Sequence, residues 1–156
     1  MSRDLLRHSV ATLAYRGGKA VRGAPPAFEL FRPGPDSRSA GEILSHIGDL
    51  IDWALSLARG AHVWHDSAPQ GWEQDVSRFF SALGAFDAEL AAAGTLGCSE
   101  EALFQGPIAD ALAHVGQIAM LRRLAGSPIR GENYFKADIH AGRVGSDQTP
   151  ARVEFG

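Results

Sequence analysis

The sequence predicts an all-α protein: a four-helix bundle with an irregular C-terminal tail. Two observations carry that prediction. Four segments of roughly 18 to 23 residues each gather their apolar residues on one helical face. No run alternates with the period of a strand. Cap and stop residues at the segment ends then place each helix.

Helix one is predicted over about 4–22, where Leu5, Leu6, Val10, Leu13 and Ala14 recur at helical spacing. Gly17 and Gly18 weaken its last turns. Residues 23–38 hold Pro25, Pro26, Pro33 and Pro35 and read as a loop, longer than a usual helix–helix connection. Helix two opens on a capping box, with Ser39 as N-cap and Glu42 reaching back to it. Ile43, Ile47, Leu50, Ala54 and Leu57 follow, and Gly60 is its stop. Residues 61–70, with Pro69, form a turn-rich connection.

Helix three is predicted from about Gly71 to Ala93, ended by Gly94. Trp72, Val76, Phe79, Leu83, Phe86 and Leu90 step by three or four throughout, the cleanest amphipathic pattern in the chain. Residues 95–106 form a connection with room for a short helical turn at Ser99 to Leu103. Helix four is predicted to begin near Pro107, a favoured first-turn proline, and to end before Gly126 and Pro128. Beyond Ser127 no helical period survives. The tail is expected to pack over the bundle through Tyr134, Phe135 and Ile139, with a loose end after about Gly145.

The chain's 156 residues make one domain, 1–156, with the bundle over about 4–126 and the tail over 127–156. Apolar residues are 45% and charged residues 21%, an ordinary globular composition. Fifteen Lys and Arg against 18 Asp and Glu leave a net charge of -3, which argues against nucleic acid or an anionic membrane as partner. The single cysteine, Cys98, excludes an internal disulfide framework and a cysteine-rich zinc knuckle. No apolar run is long enough to cross a membrane, and the N-terminus lacks the apolar core of a signal peptide. A cytoplasmic protein is expected.

The chemistry sits on helices two and four. On a helical wheel His46 falls among Ile43, Leu50, Trp53 and Leu57 and so points into the bundle. Asp49 falls at the edge of that stripe. Asp110 and His114 are four residues apart and share one face with Ile118, Leu121 and Leu124. Gln117 lies close to the same arc. A buried aspartate is costly unless paired or bound to metal. Two imidazoles and a carboxylate make a ligand set for a divalent metal with open positions. From the spacing alone, a buried ion pair between Asp110 and His46 or His114 with no metal is the favoured reading.

The other candidates carry less. His62 and His65 read as solvated or as a pocket rim, and His8 and His140 have no spacing that demands a role. Cys98 has no identifiable base beside it. Arg122 and Arg123 fall on the side of helix four away from Asp110 and His114. That side also carries Leu112, Val115 and Ala119, and either a second subunit or the chain's own helices and tail would cover it. There is no glycine-rich phosphate loop and no catalytic triad.

Three runs, LSHIGDL over 44–50, DALAHVGQI over 110–118 and LRRLAG over 121–126, resemble the DinB/YfiT-like superfamily. Members carry one histidine on the second helix and an H-x-x-x-H pair on the last, often followed by x-Gly-Gln-Ile. His46 matches the first ligand and His114 the last, while Asp110 stands where the middle histidine usually stands. Carboxylate can replace imidazole on zinc, nickel, iron or manganese. The resemblance implies an up-down-down-up bundle and a divalent metal at His46, Asp110 and His114; Gln117, near the same arc, would then orient a ligand or a water beside the metal. It also implies frequent homodimers. In activity it implies a thiol-dependent transferase or isomerase, or a hydrolase, working on a small molecule with a low-molecular-weight thiol such as bacillithiol or mycothiol. The alternative expectation is a non-catalytic metal-binding or stress-associated bundle.

Overall fold

The computed structural model describes residues 2–92 and 94–156. Four helices form the body. In α1, Arg3–Val21, the Ser2 hydroxyl caps the start by accepting the Leu5 N–H. In α2, Ala40–Ala58, both bonds of the expected capping box are present at 3.1 Å: Glu42 N–H to Ser39 Oγ, and Ser39 N–H to the Glu42 carboxylate. α3 covers Trp72–Ala91, and Ala93, its predicted last residue, lies outside the described residues. α4 spans 100–124, with one helical turn at Glu100–Leu103, a π turn at Phe104–Ile108 and regular α-helix over Ala109–Leu124.

The start of α4 corrects the sequence reading. Pro107 lies inside the helix, not in its first turn. A proline lacks an N–H and clashes with the carbonyl four residues back, so the backbone widens to a π turn around it and the helix continues. The helix starts instead at Ser99, whose hydroxyl accepts the Ala102 N–H at 3.1 Å.

Contacts between side chains fix how the helices run. Arg7 meets Asp87 and Gly17 meets Phe79, so α1 and α3 are antiparallel. Arg78 meets Asp49 and Arg59 meets Glu89, so α2 and α3 are parallel. His46 meets His114, and Ala58 meets Gly97 at the entry to α4, so α2 and α4 are antiparallel. Leu6, Val10, Leu44, Ile47, Phe79, Leu83, Phe86, Leu103 and Ile118 fill the space between them with under 2% exposure. Each contributes about 1.5–3 kcal/mol of apolar transfer.

Two glycines are close-approach positions. Gly17 does not end α1, because the buried Phe79 ring lies over it, 2.5 Å from where a Cβ would sit. At Gly97 a Cβ would overlap the Cα and N of Gly60 and lie 2.8 Å from the Leu57 carbonyl. These are backbone atoms and cannot swing away, and the Gly97 N–H is already bonded to Ala58 O at 2.8 Å. Gly97→Ala is therefore expected to cost about 2–3 kcal/mol, read as a lower urea midpoint with an unchanged slope.

The tail is not loose. Gly131–Glu132 (β1) and Glu154–Phe155 (β2) pair antiparallel, so the last residues return to the body. The clasp is ionic: the buried Glu132 accepts from Tyr15 Oη at 2.5 Å and Lys19 Nζ at 2.6 Å, and Lys19 also reaches Glu154 at 3.1 Å. Tyr134 packs beneath the Arg16 guanidinium, 3.8 Å from its ring centre, and Ile139 packs against the core. Phe135, by contrast, is 96% exposed and covers nothing. Val115 is buried and Leu112 packs on the core, so the second apolar side of α4 is covered within the chain. That side also holds Arg122, buried against the end of α1.

Candidate functional site

α2 and α4 bring His46, Asp110 and His114 together. One ligand atom from each lies within 4.8 Å of the other two. The His46 and His114 rings are 4.6 Å apart between centres. Both face each other because their helices are adjacent and antiparallel, and Asp110 joins them because it stands one turn before His114. His114 Nδ1 lies 2.7 Å from the Asp110 backbone carbonyl. A carbonyl only accepts, so Nδ1 carries a proton, and in the neutral ring the lone pair is on Nε2.

Asp110 corrects the sequence reading in one respect. Its side chain is 49% exposed, at the edge of the bundle and not within it. The cost of burying a carboxylate therefore does not bear on it. Its Oδ1 lies 3.3 Å from His114 Nδ1, the contact an ion pair would use if the ring were protonated. His46 is half-buried, and burial pushes its pKa below the ordinary imidazole range. The Arg38 guanidinium and His114 push the same way, against the weaker opposite pull of Asp110 and Asp49. The ring is neutral at neutral pH, the form in which imidazole donates to a metal. Gln117 is exposed and its side chain makes no hydrogen bond among the described residues.

The other candidates stay apart. His62 packs on Trp53, with Trp53 Nε1 3.5 Å from its Nδ1, and His65 and His8 are exposed. His140 reaches Asp138 at 2.7 Å in the tail. Burial raises the pKa of the half-buried Cys98, which keeps it a thiol.

What sequence reasoning missed is how the 61–71 segment is fixed beside the site. Residues 61–71 are exposed, but Ser67 is tied down completely. Its N–H and hydroxyl donate to Asp49 at 2.9 and 2.7 Å, and its carbonyl accepts from Ser45 Oγ at 3.0 Å. Three residues earlier Trp64 lies edge-on to His46, ring centres 5.6 Å apart. Loop residues carry no periodicity, so nothing in the pattern marks Trp64 or Ser67. A cleft of about 390 Å³ opens beside His46, lined by Arg38, Asp49, Ser67 and Pro69 among others.

Asp49 is itself buried, at 2% exposure, and Arg78 joins it at 2.6 Å to Asp52 at 2.7 Å. Burial alone would raise its pKa. The bonds from Arg78 and Ser67 outweigh that and hold the carboxyl below the usual carboxylate range. Asp75, also buried, goes the other way. Burial raises its pKa, helped by the charges of Glu29 and Asp49 and opposed by one bond from the Gln70 N–H and by the Arg78 charge. The signs predict opposite pH behaviour. Stabilisation by Asp49 is complete above its unfolded pKa, about 3.9, and is lost as pH falls through its depressed folded value. A raised pKa favours the folded state at low pH and weakens it as pH rises through the folded value. Urea titrations from pH 3 to 7 should show Asp49→Asn destabilising at pH 7 with a deficit that shrinks toward pH 3. Asp75→Asn should gain relative to wild type as pH rises.

No protein-family model matches the chain, and no curated protein or solved structure matches it. Among the described residues no helix is long and apolar enough to cross a membrane.

Proposed function

We propose that His46, Asp110 and His114 hold one divalent transition-metal ion, and that the protein is a metal-dependent enzyme acting on a small molecule. The observation that supports this most is the convergence of two imidazoles and a carboxylate from facing helices within 4.8 Å, with one ring's Nε2 left free by the Asp110 carbonyl. Zinc, nickel, iron and manganese all accept such a set. A bound ion of this kind acts as a Lewis acid and makes a coordinated thiol or water acidic enough to react near neutral pH. The chain's part is to present neutral His46, to orient His114 through the Asp110 carbonyl, and to leave the cleft beside His46 open. Chemistry of this kind fits a thiol-dependent transferase or isomerase, or a hydrolase, as the DinB-like resemblance implies. The resemblance also implies a homodimer, which light scattering would read.

The test is elemental analysis of protein purified without a metal-affinity tag or chelator. Close to one equivalent of a single transition metal per chain is the expected result. A metal-free protein that takes up no zinc, nickel, iron or manganese would overturn the reading. It would favour the second one, an Asp110–His114 ion pair in a non-catalytic or stress-associated bundle, to which the 3.3 Å contact gives weight. Metal-dependent turnover of an electrophile with a thiol separates enzyme from binding protein.

A further inference from the structure

Resting on that metal reading, we infer that the 61–71 segment is the specificity wall of the site, and that Trp64 selects metal ligands carrying an aromatic or other apolar body. Trp64 and Val63 are 42% and 46% exposed, side by side. Scattered exposed apolar residues on flexible loops mean little. These two are neither scattered nor free. The segment is pinned to α2 on both sides of Trp64. Before it, the Val63 N–H donates to Ser56 Oγ at 3.1 Å. After it, all three polar groups of Ser67 are bonded to Ser45 and Asp49, the residues that bracket His46 on α2. Behind it stands Trp53, edge-on with ring centres 5.9 Å apart and seven residues, two helical turns, along from His46. An indole is thus held in place, half in water, against the imidazole of a proposed ligand. Its ordering entropy is already spent in folding, so a ligand that covers it gains apolar burial without immobilising it. Trp64 is a positioning and selecting residue here, since no reacting atom is assigned to it.

Acetohydroxamate and benzohydroxamate test this, because they share the same two-oxygen chelating group for the metal and differ by methyl against phenyl. Zinc affinity is measured first in every variant, so that hydroxamate binding is compared at full zinc occupancy. Calorimetry on the zinc-loaded protein should show benzohydroxamate tighter by about tenfold or more, with a change in tryptophan fluorescence on binding. Trp64→Ala should bring the two probes to nearly equal affinity, and Trp64→Phe should keep most of the preference. Ser67→Ala should reduce the preference by unpinning the segment. Equal binding by wild type, or a preference that survives Trp64→Ala, overturns the inference while the metal reading stands. A metal-free wild type that takes up neither zinc nor nickel, iron or manganese overturns both, and is recognised before any hydroxamate is added.

Discussion

Replacing His46 and His114 together by alanine is expected to abolish metal retention and leave the helical content unchanged. The site lies at the edge of the bundle: His46 is half-buried, the His114 ring keeps only 12% exposure, and Asp110 is exposed. The core beneath it is carried by Leu44, Ile47 and Ile118, which the substitutions do not touch. Truncating the two rings should cost about 1–2 kcal/mol of stability. Metal affinity should fall by far more than about 100-fold, because loss of a mere outer-shell partner already costs about 10- to 100-fold. Elemental analysis and circular dichroism on the same sample separate the two effects. A double variant that keeps its full metal content would remove these residues from the site. Asp110→His restores an imidazole pair at i, i+4, and its exposed position gives the larger ring room. Zinc or nickel should bind that variant at least as tightly as wild type. Loss of metal there would give Asp110 a separate role.

The features read correctly from the sequence are those with a local or periodic cause. The Ser39–Glu42 capping box needs only four residues to form, and the apolar steps of α3 fix its inward face. The Asp110–His114 adjacency follows from helical pitch alone. Depth does not, because a wheel angle says which way a side chain points and not how far the neighbouring helix extends over it. Asp110 pointed toward the seam and still lies half in solvent. Pro107 was ambiguous for a related reason: a proline opening a helix and a proline inside a π turn look alike locally. The features that stayed hidden join residues far apart in the chain. Glu132 meets Tyr15 and Lys19 across more than a hundred residues, and Ser67 finds Asp49 from a loop without pattern.

Arg122 belongs to that hidden class, and its removal should have the largest effect on stability. The residue is 4% exposed. Its guanidinium donates to the carbonyls of Ala20 and Arg22 at 2.9 Å, Gly23 at 3.2 Å and Ser127 at 2.9 Å, and to Ser127 Oγ at 3.2 Å. The first three are carbonyls at the end of α1, the kind that a helix C-terminus leaves without partners. A cation there also meets the negative end of the helix dipole. Burial lowers the Arg122 pKa, yet a guanidinium starts so high that the charge persists at neutral pH. Arg122→Met keeps much of the volume and removes every donor, leaving carbonyls of both α1 and the turn after α4 unpaired. The expected cost is about 3–5 kcal/mol, because four carbonyls lose a charged donor and each buried unpaired group costs about 1–3 kcal/mol. Arg122→Lys should recover only part of it, since one ammonium cannot span four carbonyls in different directions. The exposed neighbour is the control: Arg123→Met should stay within about 0.5 kcal/mol of wild type. Urea midpoints for the three variants decide the matter. If Arg122→Met and Arg123→Met unfold alike, the guanidinium does not hold α1 to α4, and the apolar seam between them is sufficient without it.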